Sequence, residues 1–320
     1  MRTGISAGYT GHFHEAGFYG SDDDLLELIV PFVTEGVDAG EPSILGFDEN
    51  STTLLRKHLP ESDLVTFVAG GDHYATPARA IANYRKLYAG AVAAGAQQVR
   101  TSGQVPLNGN PTHFRAWSRY ESAVNSAYDD FPLLSLCVYD TTAMSPEVRD
   151  VVERAHPNLL TASGVHSPSP RYQNPASFVL SPVVPDPLEF STPLLDIADI
   201  TAALSREVMH DVASPHLDEV AVHDLVLATS ETVTNALVHG RPPARLTVWA
   251  QDGRVVVHVR DGGRGPLGDL VGLVPVDSEI GAGLGLWLIH QLGIDVDLMT
   301  ADDGFTVRLC ASRGSAIAEN

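Results

Sequence analysis

An acid and an amide lie one helical turn apart in the segment Ser230-Glu-Thr-Val-Thr-Asn-Ala-Leu-Val-His239. Glu231 and Asn235 therefore share one face of the helix that this segment predicts. An asparagine carbonyl oxygen is a suitable Mg²⁺ ligand, and a carboxylate one turn earlier can orient or deprotonate an attacking hydroxyl. Taken alone, such a pair is more often an ordinary polar helix face.

Two glycine-rich segments follow along the chain. Asp261-Gly-Gly-Arg-Gly265 comes directly after a predicted strand. Its carboxylate could accept a hydrogen bond from an exocyclic amine such as adenine N6, and Gly263 and Gly265 would let the backbone approach a flat ring. The second segment opens a predicted helix, whose free N–H groups can bind phosphate, and has glycines at alternate positions: Gly281, Gly283 and Gly285. Each segment alone could be a plain turn.

The elements around these segments predict an α+β sandwich. Helical spacing indicates two long helices, and Asp252-Gly253 between alternating apolar residues indicates a β-hairpin. The predicted elements are helices Asp196–Val212, Leu217–His239 and Gly283–Leu292, and strands Arg245–Ala250, Val255–Arg260, Val296–Met299 and Phe305–Leu309.

The first half of the chain alternates strand and helix patterns, which predicts a largely parallel sheet covered on both faces. The predicted strands are His12–Tyr19, Ser43–Phe47, Leu64–Val68, Gln98–Thr101 and Leu133–Tyr139. The helices between and after them are one capped by Ser21 and ended by Gly40, then Ser51–His58, Pro77–Ala94, Thr112–Asp129 and Pro146–Ala155. A proline-rich segment then predicts a linker.

Taken in this order, the three segments resemble the N, G1 and G2 boxes of the GHKL superfamily of ATPases and kinases. The resemblance covers about Asp196–Leu309, and the run Gly285-Leu-Trp-Leu-Ile-His-Gln-Leu292 is most similar to the anti-sigma-factor serine kinases. It implies Glu231 as general base, Asn235 as Mg²⁺ ligand and Asp261 as the adenine contact. The remaining ATP-binding residues that it implies are Gly263, Gly265, Gly281, Gly283 and Gly285.

The same resemblance implies a sigma factor and an anti-sigma-factor antagonist protein as partners, the latter phosphorylated on Ser or Thr. Two alternatives stay open: a sequestering module that binds ATP without transferring phosphate, and a sensor histidine kinase. A histidine kinase needs a phosphoacceptor on a dimerising helix pair. His210 and His216 flank the gap between the predicted helices, but no coiled-coil repeat surrounds them.

The first half resembles the MEDS sensory domain over about Gly11–Val165. The matching residues are His14-Glu-Ala-Gly-Phe-Tyr-Gly-Ser21, Gly40-Glu-Pro42, Leu136-Cys-Val-Tyr-Asp-Thr141 and His156-Pro157. The resemblance implies a RecA-like parallel-sheet sandwich without a phosphate loop, sensing a small organic ligand. Gly103-Gln104 stands where Gly-Glu is expected, which removes a carboxylate from any ligand chemistry there.

Ligands of parallel α/β sheets bind at the carboxyl ends of the strands. The sequence predicts a pocket lined by His73, Tyr74 and Tyr139 and open to solvent at that edge. Its full set of candidates is His14, Tyr19, His73, Tyr74, Gln104, Cys137 and Tyr139. Metal binding by His12, His14, His73 and Cys137 competes with the simpler interpretation of hydrogen-bonded core histidines.

Composition limits the remaining function classes. The 320 residues have a formal net charge of −20 and two lysines, Lys57 and Lys86. We therefore expect no direct nucleic-acid binding, and without a G-x-x-x-x-G-K-[ST] run no Walker-type phosphate loop. No apolar stretch is long enough to span a membrane, and two distant cysteines give no disulfide framework.

These features predict a cytoplasmic sensor-regulator with a homodimer as a further expectation. The predicted domains are a MEDS-like ligand-sensing domain at 9–165, a proline-rich linker at 166–193 and a GHKL-type ATPase domain at 194–314.

Overall fold

The chain folds as two compact units, one formed mostly by residues up to 180 and the other mostly by residues after it. The computed structural model describes residues 4–68, 76–107, 111–142, 144–161, 164–178, 183–266, 270–274, 284–292 and 294–313. Each unit has its own sheet and its own apolar core. Among these described residues, no helix has both the length and the apolar character needed to cross a bilayer.

The first unit is built on a sheet of seven strands within the described residues. In chain order they are β1 (His12–Tyr19), β2 (Ser43–Gly46), β3 (Val65–Phe67), β4 (Val99–Gly103), β5 (Leu133–Asp140), β6 (Asn158–Leu160) and β7 (His166–Pro168). They lie side by side in the order β3-β2-β4-β5-β1-β6-β7, and every neighbouring pair is parallel except β6–β7. The predicted parallel α/β architecture is confirmed, with one antiparallel strand at the edge.

The helices of this unit are α1 (Asp22–Ala39), α2 (Glu49–Arg56), α3 (Pro77–Ala93), α4 (Pro111–Ala127) and α5 (Pro146–Ala155). Local sequence sets their ends, as α1 shows. The Ser21 side chain accepts a hydrogen bond from the Asp24 N–H at the start, and Gly40 ends the helix at a φ of 72°, a conformation that glycine adopts readily. Ile29 of α1 and Leu136 of β5 belong to one buried cluster, so the helix packs its apolar face on the sheet.

The second unit is a five-stranded sheet with helices, again counting described residues. Its strands are β8 (Leu195–Ile197), β9 (Arg245–Gln251), β10 (Arg254–Asp261), β11 (Asp295–Ala301) and β12 (Gly304–Ser312), and its helices are α6 (Ala202–Ala213), α7 (Glu219–Val238) and α8 (Leu284–Ile289). The order is β11-β12-β10-β9-β8 and all pairs are antiparallel. Leu225 and Val233 of α7 share a buried cluster with Leu246 and Val257 of the sheet. The predicted α+β sandwich is confirmed.

The beginning of this unit differs from the prediction. A helix was expected from Asp196, but Leu195–Ile197 forms strand β8, paired with β9. Helix α6 begins at Ala202, where the Thr201 hydroxyl accepts a hydrogen bond from the Leu204 N–H. The physical reason is that Thr201 is a good N-cap, and that the alternation of apolar and polar residues before it suits an edge strand.

Parts of the predicted linker are folded. His166–Pro168 is strand β7 of the first unit. In the second unit Pro187–Phe190 is a short 3-10 helix with a capping box at Asp186, and Glu189 Oε1 lies 2.7 Å from Arg308 Nε on the sheet. Over these residues the proline-rich segment is bound to a domain surface and does not act as a free tether.

Candidate nucleotide-binding site

Helix α7 contains Glu231 and Asn235, and its C-terminal end lies beside the end of β10. Both side chains are half-buried. The backbone oxygen of Asn235 accepts a hydrogen bond from the Gly240 N–H at 3.1 Å, so the helix ends about one turn after Asn235. On the other side of Glu231, the buried Ser230 hydroxyl accepts from Arg206 Nη1 of α6 at 2.6 Å. Hydrogen bonds before Glu231 and after Asn235 thus fix the position of this part of α7.

Gly285 of α8 lies directly against the two polar side chains of α7. A Cβ atom at Gly285 would be 3.1 Å from Asn235 Nδ2 and 3.2 Å from Glu231 Oε2. Such contacts are tighter than nine in ten real Cβ contacts, so a larger residue would displace both groups slightly. The structure therefore brings together residues from the predicted N and G2 boxes. Gly281 and Gly283 lie outside the described residues, and their roles remain predictions.

Asp261 ends strand β10 and is 6% exposed. Its Oδ1 accepts hydrogen bonds from the Arg241 N–H at 3.0 Å and the Gly263 N–H at 2.6 Å. A Cβ at Gly240 would lie 2.5 Å from this Oδ1, so the turn after α7 closes against the carboxylate. Among the described residues these bonds use Oδ1, which leaves Oδ2 as the oxygen that could accept from a ligand amine.

The end of the G1 segment also requires glycine. Gly265 has a φ of 74°, and a Cβ there would overlap the Phe305 ring. A side chain at this position would be strained by the left-handed backbone and blocked by the ring. The glycine at this position is therefore explained by packing against Phe305, and its predicted contact with a ligand stays a prediction.

Two predicted sensor residues of the first unit meet at the carboxyl ends of β1 and β4, where Gln104 Nε2 donates to the Tyr19 hydroxyl. Burial raises the pKa of Tyr19 to about 12, helped by the nearby carboxylates of Asp140 and Asp48, so the phenol stays protonated at neutral pH. His73 and Tyr74 lie outside the described residues. The rim pocket that they were expected to line stays a prediction.

The other sensor candidates lie in the interior. Tyr139 is 5% exposed, and its hydroxyl donates to Glu121 Oε1 at 2.6 Å. The expected solvent-open position of Tyr139 is not observed, because this hydrogen bond turns the ring into the core. His14 and Cys137 lie close by, with 3.4 Å between Nε2 and Sγ.

Beside these residues is an internal cavity of about 30 Å³, lined by polar groups and by four tyrosines: Tyr84, Tyr88, Tyr120 and Tyr128. Glu121 lines it and was not predicted as a site residue. Glu121 lies four residues after Trp117 and three before Val124, so helical spacing places it on the apolar face of α4. A carboxylate at an apolar position was the signal in the sequence that could have identified it.

Comparison with known protein families identifies two domains. The family described as "MEDS: MEthanogen/methylotroph, DcmR Sensory domain" matches residues 13–157, and "Histidine kinase-like ATPase domain" matches residues 198–311. No curated protein matches the chain. These ranges contain the sequence segments on which both resemblances rest.

Among solved structures, a similar chain is the histidine kinase domain from Erythrobacter litoralis EL346 blue-light activated histidine kinase. The identity is 20%, the match covers 35% of this chain and 60% of that chain, and the TM-score is 0.24. The match thus spans less than two thirds of that kinase domain and carries no functional argument. On the family matches and the fold, the chain is a MEDS sensory domain followed by a histidine kinase-like ATPase domain of the GHKL type.

Proposed function

We propose that the protein is a ligand-controlled anti-sigma factor that phosphorylates an antagonist protein on Ser or Thr with Mg-ATP. The observation that supports the nucleotide site is the contact of Gly285 with Glu231 and Asn235. The two residues that the resemblance implies as general base and Mg²⁺ ligand thus both lie against one glycine at the start of α8. An ordinary polar helix face would not need a glycine against it.

The residues present suit this ligand. Bound Mg-ATP would supply the transferable phosphoryl group and a cation that offsets its charge. Asn235 would hold the cation through its amide oxygen, and Asp261 Oδ2 would accept a hydrogen bond from the adenine amine. Both lysines precede the ATPase domain, so phosphate oxygens there depend on the cation, on arginine and on backbone N–H groups.

Glu231 would act on the partner protein in this proposal. It lies on the same helix face as Asn235, and its Oε2 lies beside Gly285. In this proposal the carboxylate would accept the proton of an incoming Ser or Thr hydroxyl while the hydroxyl oxygen attacks the γ-phosphorus of ATP. The bond from that phosphorus to the oxygen bridging it to the β-phosphate would break, and ADP would leave. The partner, whether antagonist or sigma factor, would contact the protein at this face.

The MEDS domain would regulate the kinase activity. Its cavity combines tyrosine rings with a few polar groups, including Glu121 and Cys137, but at about 30 Å³ it has room only for a water molecule or two. A small organic ligand would have to enlarge it on binding. A ligand changes kinase output only if it binds two conformations unequally. We expect the effect as a change in phosphotransfer rate when the ligand is added.

Radiolabelled ATP with the full chain and candidate antagonist proteins tests the proposal. The variants are Glu231→Gln and, as a matched control on the same helix, the exposed Glu219→Gln. Acid-stable label on the antagonist with wild type and Glu219→Gln, but not with Glu231→Gln, would support the serine kinase. Acid-labile label on the chain itself would instead indicate a histidine kinase. ATP binding with no label on any protein would indicate a sequestering module.

A further inference from the structure

Four side chains that could bind a metal converge in the core of the MEDS domain. They are His14 on β1, Cys137 on β5, Glu121 on α4 and His156, which directly follows α5. One ligand atom from each lies within 4.8 Å of all the others. His14 and Cys137 come from neighbouring parallel strands, so the sheet fixes half of the set and two helices supply the other half.

The spacing suits a tetrahedral ion. His14 Nε2 lies 3.4 Å from Cys137 Sγ, and His156 Nε2 lies 3.5 Å from Glu121 Oε2. Zinc bonds of ~2.0–2.3 Å place the ligand atoms of a tetrahedron roughly 3.3–3.8 Å apart. The two pairs therefore already have the separation of ligands around one ion.

Hydrogen bonds fix both imidazoles in the orientation that metal binding needs. Nδ1 of His156 donates to the Val152 carbonyl at 2.8 Å. Nδ1 of His14 lies 3.0 Å from Asn125 Oδ1. Asn125 Nδ2 donates to backbone carbonyls, including that of Ala155 at 2.8 Å. Asn125 Oδ1 must therefore accept the hydrogen bond from His14 Nδ1. Each ring therefore turns an unprotonated Nε2 toward the cluster, and such bonds are typical of the groups behind metal ligands.

Without an ion, one buried carboxylate oxygen of the cluster lacks a hydrogen-bond partner among the described residues. That oxygen is Oε2 of Glu121, which is fully buried. A thiolate and a carboxylate together carry two negative charges, so a divalent cation would make the buried group neutral and give Oε2 a partner.

We propose that His14, Glu121, Cys137 and His156 bind one divalent metal ion of the zinc class. A ligand set of two imidazoles, one thiolate and one carboxylate suits Zn²⁺, which accepts nitrogen, sulfur and oxygen. The Tyr139 hydroxyl donates to the other carboxylate oxygen of Glu121 at 2.6 Å and so orients this ligand. Three of the four ligands also line the internal cavity, which has room for a water molecule beside the ion. The metal site does not depend on the kinase proposal.

Zinc content and zinc affinity of the full chain test this site. The variants are Cys137→Ser, His156→Gln and Cys310→Ser, the last being a matched control because Cys310 is the buried cysteine of the other domain. We expect about one Zn²⁺ per chain for wild type and Cys310→Ser, and affinity more than tenfold weaker for the other two. Asn125→Ala, which removes a positioning residue, should weaken binding by about 10- to 100-fold.

A second measurement detects the bound metal by its absorption spectrum. Co²⁺ added to chelator-treated wild type should give a thiolate-to-cobalt charge-transfer band, and Cys310→Ser should keep it while a folded Cys137→Ser loses it. Wild type that takes up no Zn²⁺ and shows no such band would overturn the proposal and leave a neutral hydrogen-bonded network. Equal zinc binding by wild type and Cys137→Ser would also overturn it, because the ion would then lie elsewhere.

Discussion

Replacing Gly285 by alanine should separate stability from function in the ATPase domain. The new Cβ would lie 3.1 Å from Asn235 Nδ2 and 3.2 Å from Glu231 Oε2, so these side chains must move by a few tenths of an ångström. A misplacement of about 1 Å can cost on the order of 10²-fold in rate. We therefore expect this smaller shift to lower the phosphotransfer rate on the order of tenfold, which corresponds to about 1.4 kcal/mol.

The effect on stability should be small or of opposite sign. Gly285 lies within α8, and alanine is favoured over glycine in a helix by up to about 1 kcal/mol. Gly90 in α3 is the matched control, since a Cβ there would meet nothing within 4 Å. Gly90→Ala should gain about 0.5–1 kcal/mol in urea unfolding and keep the Mg-ATP affinity of wild type.

Calorimetric titration with Mg-ATP and urea unfolding of both variants measure the two quantities. Wild-type affinity and phosphotransfer rate for Gly285→Ala would refute the placement of Glu231 and Asn235 in the site. A loss of more than about 1 kcal/mol in unfolding free energy, beyond the propensity range, would show that the glycine serves packing instead.

Three further variants test individual groups. Glu231→Gln should bind Mg-ATP but transfer phosphate about 10²–10⁴-fold more slowly, measured by single-turnover labelling. Asn235→Ala should raise the Mg²⁺ concentration needed for half-maximal ATP binding, because it removes a metal ligand. Arg308→Met should lower the unfolding free energy by about 3–5 kcal/mol in urea titration, since Arg308 is 2% exposed and its ion pairs with the half-buried Glu189 and the buried Asp297 would be lost.

Each of these three predictions has a control variant or a result that would contradict it. Glu219→Gln should keep the wild-type rate, and a full rate in Glu231→Gln would place the base elsewhere. An unchanged Mg²⁺ requirement in Asn235→Ala would remove this residue from the metal. Arg245→Met breaks an exposed pair with Asp196 and should leave the unfolding free energy nearly unchanged. An equally small effect for Arg308→Met would mean that its carboxylate partners are solvated.

The features that the sequence predicted correctly are those that depend on the spacing of residues along the chain. One helical turn between Glu231 and Asn235 places them on the same face of α7, and Asp252-Gly253 gives the hairpin of β9 and β10. The order of these segments was enough for the GHKL resemblance. The contact of Gly285 with both side chains was not derivable from spacing, because it depends on how α8 packs on α7.

The errors also have local causes. Apolar residues Ile197 and Ile200 continue the helical spacing of α6 backwards, which hides the edge strand β8. The segment Pro187–Phe190 has the composition of a linker but docks through Glu189 on the sheet. Long-range ion pairs of this kind leave no periodic signal in the sequence.

The buried metal-ligand cluster also could not be predicted from the sequence as one site. His14, Glu121, Cys137 and His156 come from four separate elements, and no spacing along the chain gives the distances between them. His14 and Cys137 were predicted candidates because they lie on strands, where sheet order can bring them together. Glu121 and His156 meet them through helix packing alone.

Calorimetric titration of wild type and Asp261→Asn with Mg-ATP tests the nucleotide site most directly. Asparagine keeps Oδ1 as acceptor for the Arg241 and Gly263 N–H groups, so the turn should stay folded. It replaces Oδ2 by an N–H donor, which would face the adenine amine. The account predicts saturable binding by wild type and a loss of more than tenfold, or roughly 1.5–3 kcal/mol, in the variant. Equal affinity in a folded Asp261→Asn protein would contradict it.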